Sequence, residues 1–302
     1  MEGKTLQRVI CCLKEIPAGR KQSVRGELET ELEHFTLRLL KEGVSLELYG
    51  IKEKEVDVLA VEDLKDCLFL TDDRSVLSLA KSKGAVCLAY CPPEHGALSS
   101  SWSDFSDADM IIEGLMELDA RCLQEVWNHA RGIPCQIAEG MRIYLREVTS
   151  EDAPELYRIY HQPEVMEFVS EMRGSIEEEQ EKLAAYQKNA YGFYGYGIWG
   201  ICRKEDGRLL GSCGLEQKEE GEDVYLELGY VLDPAFWGEG FASEAALLAI
   251  HFGKELGLEQ IWAKIETDNK RSRAVAERIG MTLERVQSEN GREYGFYRIV
   301  FS

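Results

Sequence analysis

A turn punctuated by two glycines, between a strand-like and a helix-like segment, constrains the fold of this chain more than any other feature. It lies within residues 231–246, which read Val-Leu-Asp-Pro-Ala-Phe-Trp-Gly-Glu-Gly-Phe-Ala-Ser-Glu-Ala-Ala. Because Gly238 and Gly240 have no side chains, the backbone amides beside them can approach a ligand closely. The unpaired N–H groups and the dipole of the helix that follows favour negative charge. The segment therefore predicts an anion-binding turn.

Two familiar phosphate-binding patterns do not fit this turn. No Gly-Lys-Ser/Thr sequence follows the glycines, so the turn is not a Walker loop. No third glycine follows at the spacing of the dinucleotide fingerprint. These two mismatches disfavour a kinase and a dehydrogenase.

The length of the chain indicates two domains. Its 302 residues are more than a domain with a single hydrophobic core usually contains. Two domains of about 130 and 160 residues would each have an ordinary size. A hydrophobic content of 44% with 30% charged residues is typical of a folded protein. No apolar run approaches the ~18 residues that span a bilayer, so no membrane partner is expected.

Charge and cysteine content limit the cellular compartment and the classes of partner that we expect. A net charge of −20 would repel a phosphate backbone, so nucleic acid is not an expected partner. Residues 1–8 carry no apolar signal core, and nine cysteines at irregular spacing do not form a secreted disulfide framework. The sequence therefore predicts a cytoplasmic protein. Since no second pair of ligands stands at zinc spacing, no metal is expected.

The first part of the chain alternates helical and strand-like patterns. Helical periodicity covers residues 28–41, 74–82 and 118–130, and strand-like runs cover 44–49, 67–71, 85–90 and 110–112. Strands separated by helices imply parallel pairing with helices on the faces of the sheet. Residues 1–135 are therefore predicted to form a small doubly wound α/β domain, with its boundary at Gly132, Ile133 and Pro134.

Beyond residue 138 the pattern becomes that of a mixed α+β domain. A strand over 141–148 precedes two helices, one ending near residue 160 and one over 175–190. Strands over 196–203, 208–217 and 225–232 follow as an antiparallel meander. The order ends with a helix over 240–256, a strand over 260–266, a helix over 269–279 and a hairpin over 283–301 that turns at Asn290-Gly291.

This order of elements resembles the GNAT superfamily of N-acetyltransferases over residues 138–302. The Trp-Gly-x-Gly-Phe-Ala-x-Glu-Ala form at 237–245, the Asn-x-x-Ser sequence at 269–272 and Ile-Gly-Met at 279–281 resemble its RimJ/RimL subgroup. The resemblance implies a GNAT-type mixed sheet and transfer of acetyl from acetyl-CoA to a primary amine. A small molecule and a protein N-terminus are both open as the acceptor, and a homodimeric assembly is also left open.

The resemblance also implies which residues hold acetyl-CoA. Backbone amides of the turn bind the pyrophosphate, and the turn comprises Trp237, Gly238, Glu239, Gly240, Phe241 and Ala242. Val231 and Leu232 pair with the pantetheine arm. Asn269 orients the cofactor, although capping of the helix that follows explains an asparagine there nearly as well.

Catalysis requires a neutral amine and a proton for the departing thiolate. Glu227, four residues before Val231, matches the position of the family's catalytic glutamate, which removes the proton of the amine directly or through water. The alternative for Glu227 is a strand residue that faces solvent or forms an ion pair. Many GNAT proteins use a tyrosine as the proton donor at a position that is Ala276 here. Ser272 aligns with a serine near the thiol in the RimL-type subgroup, and this resemblance makes it the candidate substitute donor. The alternative for Ser272 is a polar residue of the first helical turn.

Aromatic residues cluster at 191–199, where related enzymes line the acceptor channel. The run reads Tyr-Gly-Phe-Tyr-Gly-Tyr-Gly-Ile-Trp. Aromatic walls with small spacers suit an amine, through cation–π contact, or a peptide terminus. Tyr194 and Tyr196 are the candidates from this run, and Phe168 is a third from between the first two helices. Burial in the core is the alternative for about half of the aromatic run.

The Leu-Thr-Asp-Asp sequence at 70–73 resembles the late acidic motif of haloacid-dehalogenase-like (HAD) phosphatases. Those enzymes need a nucleophilic Asp-x-Asp after their first strand, but residues 9–13 read Val-Ile-Cys-Cys-Leu. Without a nucleophile there is no aspartyl-phosphate intermediate. The N-terminal domain is therefore interpreted as a degenerate HAD-like domain, and helix capping is the alternative role for Asp72 and Asp73.

Two functional hypotheses follow. The first is an acetyltransferase that works by direct attack of the amine in a ternary complex. The second is a non-catalytic acyl-CoA-binding sensor or regulator, which the alanine at position 276 and the missing phosphatase nucleophile favour. Thiol release from acetyl-CoA with a panel of amines discriminates between them.

Overall fold

The computed structural model describes residues 5–14, 22–51, 64–91, 105–116, 118–169, 174–191, 195–220 and 223–301. The chain divides into two compact units, Met1–Ile133 and Pro134–Ser302. In the described residues, no helix combines the length and the apolar character needed to cross a membrane.

The N-terminal unit contains a five-stranded sheet in which every pair of neighbouring strands is parallel. Its order is β2-β1-β3-β4-β5, one of the two common doubly wound orders. Parallel pairing was predicted from the alternation of helix and strand. The strands are β1 (Arg8–Lys14), β2 (Ser45–Ile51), β3 (Cys67–Thr71), β4 (Val86–Tyr90) and β5 (Met110–Ile112).

Helices cover both faces of this sheet. Residues of α1 (Gln22–Lys41) and α3 (Ala120–Ala130) belong to one buried cluster, and residues of α2 (Arg74–Ser82) belong to another. Successive residues of β1 alternate between the two clusters, as the two-residue period of a strand requires. Asp73 accepts hydrogen bonds from the amides of Ser75 and Val76, so the capping alternative holds for Asp73.

The C-terminal unit contains an eight-stranded mixed sheet of order β12-β13-β11-β10-β9-β8-β7-β6. All neighbours are antiparallel except β10 and β11. The strands are β6 (Gln136–Glu139), β7 (Ile143–Glu147), β8 (Ile198–Arg203), β9 (Leu209–Glu220), β10 (Asp223–Leu232), β11 (Gln260–Glu266), β12 (Thr282–Glu289) and β13 (Arg292–Val300).

In the described part of this unit, the helices beside the sheet are α4 (Ala153–Tyr160), α5 (Pro163–Met166), α6 (Ile176–Tyr186), α7 (Phe241–Glu255) and α8 (Lys270–Arg278). The glycine-rich turn connects β10 to α7, as predicted. The α7 residues Ala245, Ala246 and Ala249 are fully buried in the core of the unit. Small side chains at these positions let the helix axis approach the sheet closely.

The predicted elements of this unit are confirmed within a few residues, with two omissions. Neither β6 nor α5 was predicted, because each has four residues and too few to show a period. The capping box of Ser175 and Glu178 starts α6, and the hairpin turns at Asn290 and Gly291, both at positive φ. The predicted helix over 175–190 ends as an α-helix at Tyr186 and continues as one π-turn.

Two glycines lie directly opposite each other on β9 and β10 but differ in their surroundings. A Cβ added at Gly214 would lie 2.0 Å from the carbonyl oxygen of Gly197, whereas a Cβ at Gly229 would meet no atom within 4 Å. The close approach of the chain before β8 therefore requires glycine at position 214. The space at Gly229 opens on the face of the sheet that carries Glu227, since residues two apart on a strand share a face.

We expect Gly214→Ala to lower the free energy of unfolding of the C-terminal unit by about 2–3 kcal/mol, because a backbone clash must be relieved by movement of β8. Gly229→Ala is the matched control and should leave stability unchanged or raise it by up to about 1 kcal/mol. Urea unfolding followed by far-UV circular dichroism measures both. Equal stability of the two variants would contradict the register of β8, β9 and β10.

Candidate functional site

The parallel pair β10 and β11 is joined at a single position. Glu227 pairs with Trp262, and no other residue pair joins the described parts of the two strands. Beyond that position β10 stays paired with β9 as far as Leu232, and β11 stays paired with β13 as far as Glu266. The two strands therefore diverge and leave an opening in the middle of the sheet. The glycine-rich turn and α7 follow one side of the opening, and α8 follows the other.

The backbone of β10 alternates between β9 and the opening. The amide of Asp233 donates to the carbonyl of Leu210 at 2.8 Å, so with an unbroken antiparallel register every second residue hydrogen-bonds to β9. Val231 belongs to that set, and its carbonyl oxygen lies 2.1 Å from an added Cβ of Gly211 on β9. The N–H and C=O groups of Tyr230 and Leu232 face the opening instead.

This geometry corrects one expected cofactor contact. The backbone of Val231 is used by β9, so it is not available to pair with a pantetheine arm in the opening. Leu232 keeps the predicted orientation, and Tyr230 takes the place of Val231. The sequence pattern identified the strand but not which of its residues pair with which neighbour.

The turn from β10 to α7 presents unpaired amides. Gly238 and Gly240 have φ of +83° and +85°, and Gly240 is the N-cap of α7, with no side-chain hydrogen bond to the helix. The first amide of α7 to reach an intrahelical acceptor is that of Glu244, which donates to the carbonyl of Gly240. The hydroxyl of Ser243, in the first helical turn, is buried and has no hydrogen-bond partner. These groups suit an anion that accepts several hydrogen bonds.

Trp237 connects the turn to both sides of the opening. Its indole N–H donates to the carbonyl of Leu232 at 2.8 Å, and the guanidinium carbon of Arg271 lies 4.4 Å from its ring centre. Arg271 belongs to the first turn of α8. The two contacts fix the start of the turn against the end of β10 and against α8.

The first turn of α8 is held from two directions. The side chain of Asn269 accepts from the amide of Ser272 at 3.0 Å, so Asn269 caps the helix, as the alternative for this residue held. The hydroxyl of Tyr230 donates to the carbonyl of Ser272 at 2.8 Å and thus crosses from β10 to α8. Burial raises the pKa of Tyr230 far above its usual range. No sequence pattern indicates this contact, because it joins residues from separate elements.

Glu227 lies on β10 where the opening begins. Burial raises the pKa of its carboxyl, nearby Lys218 and Lys264 oppose that shift, and Glu216 reinforces it. Lys218 forms an ion pair with Glu216 at 3.0 Å, and Lys264 forms one with Glu289 at 2.5 Å. Glu227 itself forms no ion pair with a described residue, so the ion-pair alternative for it is not supported.

Two of the three predicted acceptor-side residues lie in the described part of the chain. Phe168 is half-buried just after α5, and Tyr194 lies outside the described residues. The hydroxyl of Tyr196 donates to Gln217 at 3.4 Å. Since Gln217 follows Glu216 on β9, the two side chains leave the strand on opposite faces. This contact joins the Tyr196 hydroxyl to a side chain on the face opposite Glu227, and the acceptor role of Tyr196 stays a prediction.

Two other tyrosines lie over the face of Glu227. The hydroxyl of Tyr160 shares a hydrogen bond of 2.8 Å with Ser212, and that of Tyr186 accepts from the amide of Ile198 at 2.7 Å. The charge of Glu216, opposite Glu227, adds to the burial that raises the pKa of both phenols. The sequence could have indicated Tyr160 through its place in the last turn of α4, but not Tyr186.

Comparison with known proteins bears on the same part of the chain. Residues 142–282 match the model of the acetyltransferase (GNAT) domain. An uncharacterized N-acetyltransferase of Bacillus subtilis, YoaA, is 33% identical over 180 residues, which cover 54% of this chain and 96% of YoaA. The uncharacterized protein YkkB of the same organism is 32% identical over 142 residues, which cover 46% of this chain and 81% of YkkB. The chain belongs to the GNAT family.

Solved GNAT structures align over the same share of the chain. RimL, a ribosomal L7/L12 alpha-N-protein acetyltransferase in complex with coenzyme A, is 21% identical, with a TM-score of 0.47 over 55% of this chain and 98% of RimL. The GNAT model covers no residue of the N-terminal unit, and the HAD-like interpretation receives no support from the comparisons.

GNAT membership fits the groups that the structure presents. Acetyl-CoA is the acetyl donor of the family, and its diphosphate requires several hydrogen-bond donors on a concave surface. The open amides after Gly240 and the buried hydroxyl of Ser243 meet that requirement.

The half-buried carboxylate of Glu227 predicts a pH dependence of stability. The pKa of Glu227 is raised in the folded state above the ordinary value of 4.5. The contribution of this group to the free energy of unfolding is therefore fully present below pH 4.5 and is lost as pH rises through the folded pKa. We therefore expect Glu227→Gln to match the wild type near pH 4 and to be the more stable protein at neutral pH. Thermal unfolding at a series of pH values measures the difference. A difference that does not change with pH would contradict the assigned burial of Glu227.

Proposed function

We propose that this protein transfers acetyl from acetyl-CoA to a primary amine by direct attack in a ternary complex. The observation that carries the proposal is the position of Glu227 where β10 and β11 separate. Its carboxylate is half-buried and forms no ion pair with any residue that the structure describes. A general base needs a pKa nearer to neutrality than that of an exposed carboxyl, and burial shifts Glu227 in that direction.

The donor would be held by groups on both sides of the opening. Amides of Gly238, Glu239, Gly240, Phe241 and Ala242 would bind the diphosphate, as the resemblance implies. The pantetheine arm would pair with the backbone of Tyr230 and Leu232, which already faces the opening. The carbonyl of Leu232 accepts from Trp237, so the groups of Tyr230 and the amide of Leu232 would make most of these bonds.

The acceptor would meet the thioester on the face of the sheet that carries Glu227. The open space at Gly229 lies beside Glu227 on that face, where an amine can approach. Glu227 takes the proton of the amine, directly or through water, as the nitrogen bonds to the carbonyl carbon. The carbon–sulfur bond breaks, and the thiolate receives a proton from a hydroxyl near the start of α8. Ser272 is the proposed donor of that proton.

The acceptor is a primary amine of a small molecule or of a protein N-terminus. Phe168 and Tyr194 remain proposed for the acceptor side, with Tyr160 and Tyr186 added from the structure. The contact of Tyr196 with Gln217 gives that residue less support. The second hypothesis, a non-catalytic sensor of acyl-CoA, is not favoured by the comparisons, since the named relative YoaA is described as an N-acetyltransferase.

A direct test measures donor binding and turnover separately. We expect CoA to raise the thermal unfolding temperature of the wild-type protein, and acetyl-CoA to release free thiol when an acceptor amine is supplied. Small amines, polyamines and N-terminal peptides form the acceptor panel. Stabilisation by CoA without thiol release on any amine would favour the sensor, and no response to CoA would contradict both hypotheses.

Glu227→Gln tests the assigned base. Loss of general base catalysis should lower kcat by about 10²–10⁴-fold, with little change in the affinity for CoA. Glu216→Gln is the matched control, because Glu216 lies opposite Glu227 but is already paired with Lys218. We expect that control to keep kcat within tenfold. Steady-state thiol release as a function of pH measures both variants, and equal rate losses would remove Glu227 from the mechanism.

A further inference from the structure

Arg142, at the start of the segment that leads into β7, hydrogen-bonds to one peptide group of the glycine-rich turn. Its Nη1 donates to the carbonyl of Glu239 at 2.9 Å, and its Nε donates to Oε2 of Glu244 at 2.9 Å. Its backbone N–H donates to Oε1 of Glu244 at 2.8 Å. The guanidinium carbon lies 4.4 Å from the centre of the Phe241 ring. The side chain is therefore fixed against the turn and against the first turn of α7 together.

The orientation of a carbonyl fixes the orientation of the N–H in the same peptide group. In a trans peptide the two point in opposite directions, and the described chain has no cis peptide. Since the carbonyl of Glu239 points to Arg142, the N–H of Gly240 points away from Arg142. We propose that Arg142 is a positioning residue for the diphosphate of CoA, because it turns this N–H toward the bound anion. The inference rests on the proposed function.

The turn needs such a restraint because it contains glycine on both sides of Glu239. Glycine adopts positive and negative φ about equally well, so rotation of the peptide between Glu239 and Gly240 costs little by itself. A rotated peptide would withdraw one N–H donor and direct the negative end of a carbonyl dipole at the diphosphate. The hydrogen bond from Arg142 opposes that rotation.

The charge of Arg142 is not its main contribution to binding of the CoA diphosphate. Glu244 accepts from both the side chain and the backbone of Arg142, so the guanidinium charge is offset by a carboxylate within hydrogen-bonding distance. The same contacts lower the pKa of Glu244 despite its burial, which keeps the carboxylate ionised and the pair intact. Arg142 therefore acts through the geometry of the turn.

The experiment compares two ligands that differ in the diphosphate. We expect Arg142→Ala to weaken CoA binding by tenfold or more in calorimetry, which is about 1.4 kcal/mol for each tenfold. Affinity for S-acetylpantetheine, which lacks the diphosphate, should stay within twofold of the wild type. In steady-state assays the KM for acetyl-CoA should rise by a similar factor, while kcat at saturation stays within twofold.

Arg203→Ala is the matched control. The guanidinium carbon of Arg203 also lies near an aromatic ring of this region, 5.4 Å from the centre of Phe236, but its side chain pairs with Asp206. We expect this control to bind CoA like the wild type. Arg142→Lys serves as a second variant if the alanine variant does not fold, because lysine keeps the charge and lacks the planar fork. It should lose at least threefold in CoA affinity.

Each outcome separates the inference from the proposed function. Wild-type protein that binds no CoA would overturn the proposed function and this inference with it. Wild-type binding that Arg142→Ala and Arg142→Lys leave within twofold would overturn the inference alone. An equal loss of affinity for CoA and for S-acetylpantetheine would also overturn it, because the effect would then not involve the diphosphate.

Discussion

The divergence of two neighbouring strands after one residue pair is the constraint on which the whole site depends. Backbone N–H and C=O groups inside a sheet are normally satisfied by the next strand, and leaving them unpaired is costly. Where β10 and β11 separate beyond Glu227 and Trp262, these groups must find other partners. Trp237 supplies one of these partners, because its indole N–H donates to the carbonyl of Leu232. The rest can be satisfied by water or by an extended ligand that takes the place of a strand.

Local sequence signals predicted the parts of the site that depend on neighbouring residues. The turn, the start of α7 and the Asn-Gly hairpin follow from glycine, helical periodicity and known turn preferences. Contacts between distant segments could not be predicted in this way. Arg142 and Glu244 are 102 residues apart, and neither shows a pattern that points to the other. Likewise the alternation of β10 is visible in the sequence, but the choice of Val231 or Tyr230 to face the opening depends on the register with β9.

Electrostatics within the site depend on fixed dipoles more than on net charge. The chain carries a formal charge of −20, which disfavours the approach of a polyanion. Hydrogen-bond donors that are already oriented can offset this locally, because amide dipoles at the start of α7 need no counter-charge. Where the opening begins, the lysines near Glu227 are paired with Glu216 and Glu289. The pKa of Glu227 therefore depends mainly on its burial and less on the neighbouring charges.

The fully buried alanines of α7 have a consequence for how this protein can vary. Because Ala245, Ala246 and Ala249 bring the helix close to the sheet, they determine the height at which its N-terminal amides stand above β10. A larger side chain at one of these positions would push α7 away from the sheet. The N-terminal amides of the helix would move with it. Because overpacking a fully buried position also lowers stability, selection for a stable fold and selection for ligand affinity would both preserve these three residues.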